Sequence, residues 1–287
     1  MIDTHAHIDG EEFVGDLAET IERARAAGIS RIFVPAVDLA SVESVLRVAS
    51  QYQGYALPMI GLHPEEVKAD WREVLRKMHD ILFFNLKLSH HPALPQLLVD
   101  ASHSSDYPLP SFAPFIAIGE VGLDFYWSRE FEKEQLEAFE QQVQWSVQTR
   151  LPLMIHCRKA QNELVQILRK YEPKLPGGVF HCFTGNAREA EELLSFERFC
   201  LGIGGVVTFK KSHLPEVLAE VVPLSRVVLE TDSPYMAPVP HRGERNESAY
   251  VANVAERLAE AYGVDVATVS AVTDKNVKRI FGVTDNQ

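Results

Sequence analysis

The chain comprises 287 residues, 46% apolar and 24% charged, with a formal net charge of −12, proportions close to those of soluble globular proteins that exclude disordered and collagen-like classes. The acidic balance argues against a basic surface gripping nucleic acid along its length, so an anionic substrate must be held locally. No apolar run approaches the ~20 residues of a bilayer span, and the first residues lack the basic and apolar regions of a signal peptide, so a cytoplasmic protein without membrane contact is expected.

The chain opens with IDTHAHID (residues 2–9), read as a strand that sets His5 and His7 on one face with Asp3 and Asp9. Alone, this suits a solvated polar face as well as a metal site. A helix is predicted over 16–27, stopped by Gly28, then a strand over 31–37, a helix near 39–51, a strand over 55–62 and a helix over 71–82. Further strands are predicted at 115–121, 153–157, 178–183, 200–207 and 226–231, with a long helix near 130–149 and helices between the later strands. About eight apolar strands alternating with amphipathic helices predict an α/β fold, a single-domain TIM (β/α)8 barrel over 1–287. No G-x-G-x-x-G follows the first strand, against a dinucleotide-binding sheet.

Residues 83–111, rich in Pro, Ser and His, exceed the few residues that normally join a helix to a strand. They are read as an insert between helix 3 and strand 4 on the N-terminal face of the barrel, away from the mouth. His90, His91 and His103 are then surface residues, and the apolar stretch PALPQLLV suggests an interface. Three cysteines without C-x-x-C spacing, Cys157, Cys182 and Cys200, are read as reduced thiols. Cys157 and Cys182 each follow a candidate ligand histidine, and strand alternation turns them toward the helices, which excludes them as ligands.

The ligand-type residues fall at strand ends: His5 and His7 end strand 1, Glu120 ends strand 4, His156 ends strand 5, His181 ends strand 6 and Asp232 follows strand 8. In a barrel these ends converge on one face. Each alone has a structural explanation, such as a capping Asp232 or a core histidine. Six together at a low-dielectric mouth would be costly unless cations neutralise the carboxylates and occupy the imidazole lone pairs. Four imidazoles and two carboxylates suffice for two divalent ions if one carboxylate bridges, and Glu120 is the candidate bridge. Such a site favours hydrolysis, displacement at phosphorus in particular.

The segments IDTHAHID, GLHP (61–64), AIGEVGLDFYW (117–127), LPLMIHCRKA (151–160), VFHCFTG (179–185), GIGGVVTFK (202–210), LETDSPYMAPVP (229–240) and RGERNESAYV (242–251) resemble the TatD family of metal-dependent hydrolases. The likeness spans nearly the whole chain apart from 83–111. It implies a cytoplasmic TIM barrel with divalent-metal-dependent deoxyribonuclease activity, often releasing nucleotides from the 3′ end. It further implies that His5, His7 and Asp232 serve one metal, His156 and His181 the other, and Glu120 both, with Asp232 also orienting or deprotonating the nucleophilic water. Two departures stand out. Glu244 and Ser248 replace the family's usual Lys and Pro, which removes a cation beside the expected groove, and the insert has no counterpart in typical members.

For phosphate binding the sequence offers His63, Arg158, Lys210 and Arg242 in loops expected at the mouth. Lys159, Lys211 and Arg245 are read as loop charges paired with neighbouring glutamates. Phe125, Tyr126 and Trp127 are candidates either for the core or for stacking an unpaired base. A small cationic mouth on an acidic body fits DNA ends, single strands or a small phosphoester better than a long duplex. The alternatives are an ester or amide hydrolase of the amidohydrolase type, including aminoacyl-tRNA deacylation, and a catalytically idle metal-binding barrel. Zn, Mg and Mn all remain open as the ion.

Overall fold

The computed structural model describes residues 1–89 and 113–284. Eight parallel strands follow one another around a barrel in sequence order: β1 (Ile2–Asp3), β2 (Arg31–Pro35), β3 (Ala56–Ile60), β4 (Ala117–Asp124), β5 (Leu153–Arg158), β6 (Gly178–Phe180), β7 (Phe199–Ile203) and β8 (Val227–Leu229). The helices between them are α1 (Leu17–Ala26), α2 (Ser41–Gln51), α3 (Trp71–Ser89), α4 (Glu132–Thr149), α5 (Gln161–Tyr171), α6 (Ala187–Leu194) and α7 (Leu214–Val221). Two more, α8 (Val251–Tyr262) and α9 (Val266–Phe281), complete the described chain. This is the TIM-barrel order that the alternating apolar segments predict. The seam between β8 and β1 is closed by the Thr4 N–H donating to the Leu229 carbonyl at 3.0 Å and, above it, the His7 N–H donating to the Ser233 carbonyl at 2.8 Å.

The barrel floor explains why its mouth is polar. One residue from each strand (Ile2, Phe33, Met59, Ala117, Met154, Val179, Cys200 and Val228) forms an apolar cluster inside the barrel, plugged from below by Val277 and Phe281 of α9. Side chains alternate along a strand, so the next inward positions lie two and four residues further on. From Met59 this leads to His63, from Met154 to His156, from Val179 to His181, and from Val228 to Glu230 and Asp232. Glu120 stands at an odd offset from Ala117, and the β4–β5 register shifts between Ile118 and Val121, a bulge that re-aims the carboxylate inward. Just above it a Cβ on Gly122 (φ 154°) would come within 1.8 Å of the His156 carbonyl oxygen, so only glycine allows β4 to lie this close to β5.

Several boundaries differ from the sequence reading, most at strand 1 and helix α3. Strand 1 ends at Asp3 rather than near residue 9, and beyond it only an isolated bridge between Ala6 and Ser233 continues the pairing. Helix α3 runs to Ser89 instead of 82. Its apolar period is interrupted at Asn85, which is buried because its amide receives the Phe115 N–H at 3.2 Å and donates to the Ala113 carbonyl at 3.0 Å. Residues 83–89 therefore belong to the helix. The rest of the expected insert, with His90, His91, His103 and the PALPQLLV stretch, lies outside the described residues. No helix among the described residues is long and apolar enough to cross a membrane.

Candidate metal centre

All six expected ligand residues meet at the barrel mouth, arranged around the two oxygens of Glu120. Oε2 lies 3.1 Å from His5 Nε2 and 3.5 Å from His7 Nε2. Oε1 lies 2.8 Å from His181 Nε2 and 3.1 Å from His156 Nδ1. Asp232 Oδ1 joins the first group at 3.8 Å from His5 Nε2 and 3.7 Å from His7 Nε2. Within each group the imidazole nitrogens face each other, 3.3 Å apart for His5 and His7 and 3.2 Å for His156 and His181. Two lone pairs cannot face each other at such distances unless a proton or a cation lies between them. The donor set of imidazole nitrogen and carboxylate oxygen suits a divalent ion.

Burial and charge compete strongly here. Burial pushes the Glu120 carboxyl up, but His181, His63, His5 and His156 outweigh it and hold it well below the usual carboxylate range. Asp232 is also held low: burial opposes its charge and the contact with His7 overcomes that. Burial works against a charged His7 and His156, yet their carboxylate partners raise both to about 9, whereas burial and the nearby His181 lower His5 to about 4.

His63 reaches the same carboxylate, with Nε2 3.2 Å from Glu120 Oε1. Its Nδ1 accepts the Glu65 backbone N–H at 3.2 Å, so a singly protonated ring carries its hydrogen on Nε2. His63 therefore presents a donor to the centre, not a lone pair. Arg158 and Arg242 sit on aromatic faces, Arg158 3.8 Å above the Tyr126 ring and 5.0 Å from Trp127, Arg242 3.8 Å above Phe209. Phe125 is buried, but Tyr126 and Trp127 are 51% and 64% exposed, so the aromatic run divides between core and surface.

A cavity of about 810 Å³ opens beside His181, with Tyr126, Arg158 and Lys159 in its wall. A second, of about 770 Å³, shares Lys159 with it and carries Lys210, Lys211, His213 and Arg242. Lys159 and Lys211, read as paired loop charges, line these cavities with no ion pair among the described residues. Arg245 is paired: its Nη2 lies 2.7 Å from Asp16 Oδ2 and 4.0 Å from Oε2 of the neighbouring Glu247.

Two buried carboxylates at the centre escape the sequence reading. Asp124 lies 3.1 Å from His156 Nε2, and Glu230 lies 3.9 Å from His181 Nδ1 while accepting the Cys182 backbone N–H. Burial and the Asp232 charge push the Glu230 carboxyl well up. Both were within reach of the alternation rule, since Glu230 precedes Asp232 by two residues and Asp124 follows Glu120 by four. Alternation is less useful for Cys182: β6 ends at Phe180, and Cys182 sits at φ 50° on the wall of the first cavity. All three cysteines are free thiols.

Comparison with known proteins agrees with this geometry. The profile of the family described as TatD related DNase matches residues 2–282. The metal-dependent hydrolase YabD of Bacillus subtilis, itself uncharacterized, is 32% identical over 283 residues, covering 99% of both chains. The 3′-5′ ssDNA/RNA exonuclease TatD of Cronobacter sakazakii is 33% identical over 287 residues, covering 98% of this chain and 97% of its own. Among solved structures, YJJV, a TatD homologue from Escherichia coli, superposes with a TM-score of 0.81 at 27% identity over 99% of this chain and 98% of its own. A barrel whose mouth gathers four histidines, Glu120 and Asp232, within a chain matched by that profile almost end to end, belongs to the TatD-related DNase family of metal-dependent hydrolases.

Proposed function

We propose that this hydrolase uses two divalent cations to cleave phosphodiester bonds at the 3′ ends of single-stranded DNA or RNA, releasing nucleotides one at a time. The observation that carries the reading is the division of the histidines by Glu120: His5 and His7 gather toward Oε2, with Asp232 beside them, and His156 and His181 toward Oε1. Two cations held there would neutralise charge on the phosphoryl oxygens and acidify a water at neutral pH. Zn²⁺, Mg²⁺ and Mn²⁺ all suit the donors to different degrees.

The chain's own groups then divide the remaining work. Asp232, held ionised, orients the attacking water and takes its proton. His63 Nε2–H donates to a phosphoryl or leaving oxygen. Arg158 supplies a forked contact to phosphate from its seat on Tyr126, whose exposed face and that of Trp127 offer stacking to an unpaired base. Lys210 and Arg242 line the outer cavity, where the next phosphates of an extended strand would lie. The substrate is thus a strand end or single strand gripped by few cations, in a barrel that otherwise carries net negative charge. We assign residues 1–287 to one catalytic domain, and its free thiols suit a reducing cytoplasm.

The test is release of mononucleotides from a 3′-labelled single strand, run beside release of amino acid from charged tRNA. Chelator-sensitive nucleotide release supports the exonuclease. Amino-acid release without nucleotide release replaces it with the deacylase.

A further inference from the structure

We propose that Asp124 is a positioning residue that fixes which nitrogen of His156 faces the metal centre and ties that choice to the turn carrying Tyr126 and Trp127. The inference rests on the metal assignment above, and its test separates the two.

Each oxygen of Asp124 has a distinct task. Oδ1 accepts the backbone N–H of Tyr126 at 2.8 Å and, more weakly, that of Trp127 at 3.4 Å. Oδ2 lies 3.1 Å from His156 Nε2. The side chain is fully buried, and the Asp124 backbone N–H is itself held by Gln135 Oε1 of α4 at 3.0 Å. A carboxylate has no hydrogen to give, so His156 Nε2 must be the donor. In a singly protonated ring the lone pair is then on Nδ1, the nitrogen that faces Glu120 Oε1 and His181 Nε2. His156 is thereby committed to ligate through Nδ1.

The same carboxylate closes a mechanical loop. From His156 it leads through Asp124 to the Tyr126–Trp127 turn, from there to the Arg158 guanidinium stacked on those rings, and back along β5 to His156. Displacement of the turn therefore reaches a metal ligand by way of one side chain.

Asp124→Asn isolates the effect. The backbone N–H groups of Tyr126 and Trp127 keep the amide oxygen on their side, so the amide nitrogen is turned toward His156 Nε2. Two donors then face each other, which drives the ring to carry its hydrogen on Nδ1 and removes the lone pair from the centre. The expected result in calorimetric titration with Mn²⁺ is one binding equivalent weakened by about 10–100-fold while the other is retained. Asp124→Ala, which also frees the turn, is expected to lose that equivalent and additionally to weaken single-stranded oligonucleotide binding measured with a chelator present.

Wild-type affinity for both equivalents in folded Asp124→Asn overturns the proposal. Should the variants not fold, cadmium NMR of the wild-type protein with isotopically labelled histidine decides. Coupling of cadmium to His156 Nδ1, with Nε2 still protonated, supports the role, and coupling to Nε2 refutes it. A wild-type protein that binds Mn²⁺ as expected yet degrades no nucleic acid ends the nuclease reading and leaves the role of Asp124 standing.

Discussion

His5 Nε2 and His181 Nε2 approach the two different oxygens of Glu120, at 3.1 and 2.8 Å, while their rings stack at 4.1 Å between centroids. One carboxylate thus serves two ligand groups at once. Removing it is expected to affect both cations together. In Glu120→Gln, metal content per chain should fall toward zero by elemental analysis, with nucleolytic activity falling by at least about 10³-fold, because the charge that would hold both proposed ions is gone. Retention of a single stoichiometric ion with wild-type affinity would contradict the bridging assignment.

His63 is expected to behave differently from the other four mouth histidines. Its Nδ1 is occupied by the Glu65 N–H, which leaves a donor facing the centre. His63→Ala should therefore keep the wild-type metal content and lose about 10²–10⁴-fold in kcat, the usual range for a positioned proton donor. Loss of a metal ion from this variant would make His63 a ligand instead. Asp232→Asn, by contrast, should lose activity over the same range and weaken metal binding as well, because Asp232 faces both His5 and His7.

Much of the mouth could be read from sequence because strand alternation is a strong geometric rule. The offsets from the apolar ring to His63, His156, His181 and Asp232 are all even, so each histidine or aspartate had to face inward if its strand did. Glu120 obeys the rule only because a bulge shifts the β4–β5 register, which no periodicity announces. Glu230 and Asp124 lie on the same inward rows. Sequence alone does not single them out, because a carboxylate in a strand has more ordinary structural explanations than a histidine beside another histidine. The end of α3 is hidden from the sequence for a different reason: the residue buried at its next helical step is an amide, Asn85, satisfied by backbone groups around Ala113 and Phe115 that sequence order does not reveal.

Nucleic-acid affinity should depend on a few cations and exposed rings. Trp127→Ala is expected to cost about 1–3 kcal/mol of single-strand binding, the range for one stacked base. Arg158→Ala should weaken binding and also reduce the salt slope by about 0.7, the value for one lost phosphate contact on a single strand. Arg245→Ala, whose guanidinium is engaged by Asp16, should leave oligonucleotide affinity unchanged. Fluorescence anisotropy across a salt series measures all three, and an unaltered slope in Arg158→Ala would remove that residue from the phosphate path.

Stability of the metal-free protein should peak near the ordinary imidazole pKa and fall on both sides for separate reasons. His7 and His156 are raised from 6.5 to about 9 in the fold, burial being outweighed by Asp232 for the first and Asp124 for the second. A raised base binds its proton more tightly when folded. Its contribution is therefore complete below pH 6.5 and is lost as pH rises through about 9. His5 is lowered to about 4 by burial and by His181, so the unfolded chain takes up its proton first, and stability declines as pH falls from 6.5 toward 4. Divalent cations should reverse the alkaline limb, since they compete with the protons on His7 and His156 and bind more tightly as pH rises toward 9. Urea midpoints from pH 5 to 10, with chelator and with excess Mn²⁺, give the two curves. An alkaline loss of equal size in both would mean that the imidazoles titrate without regard to the metal, and the ligand assignment of His7 and His156 would fail together.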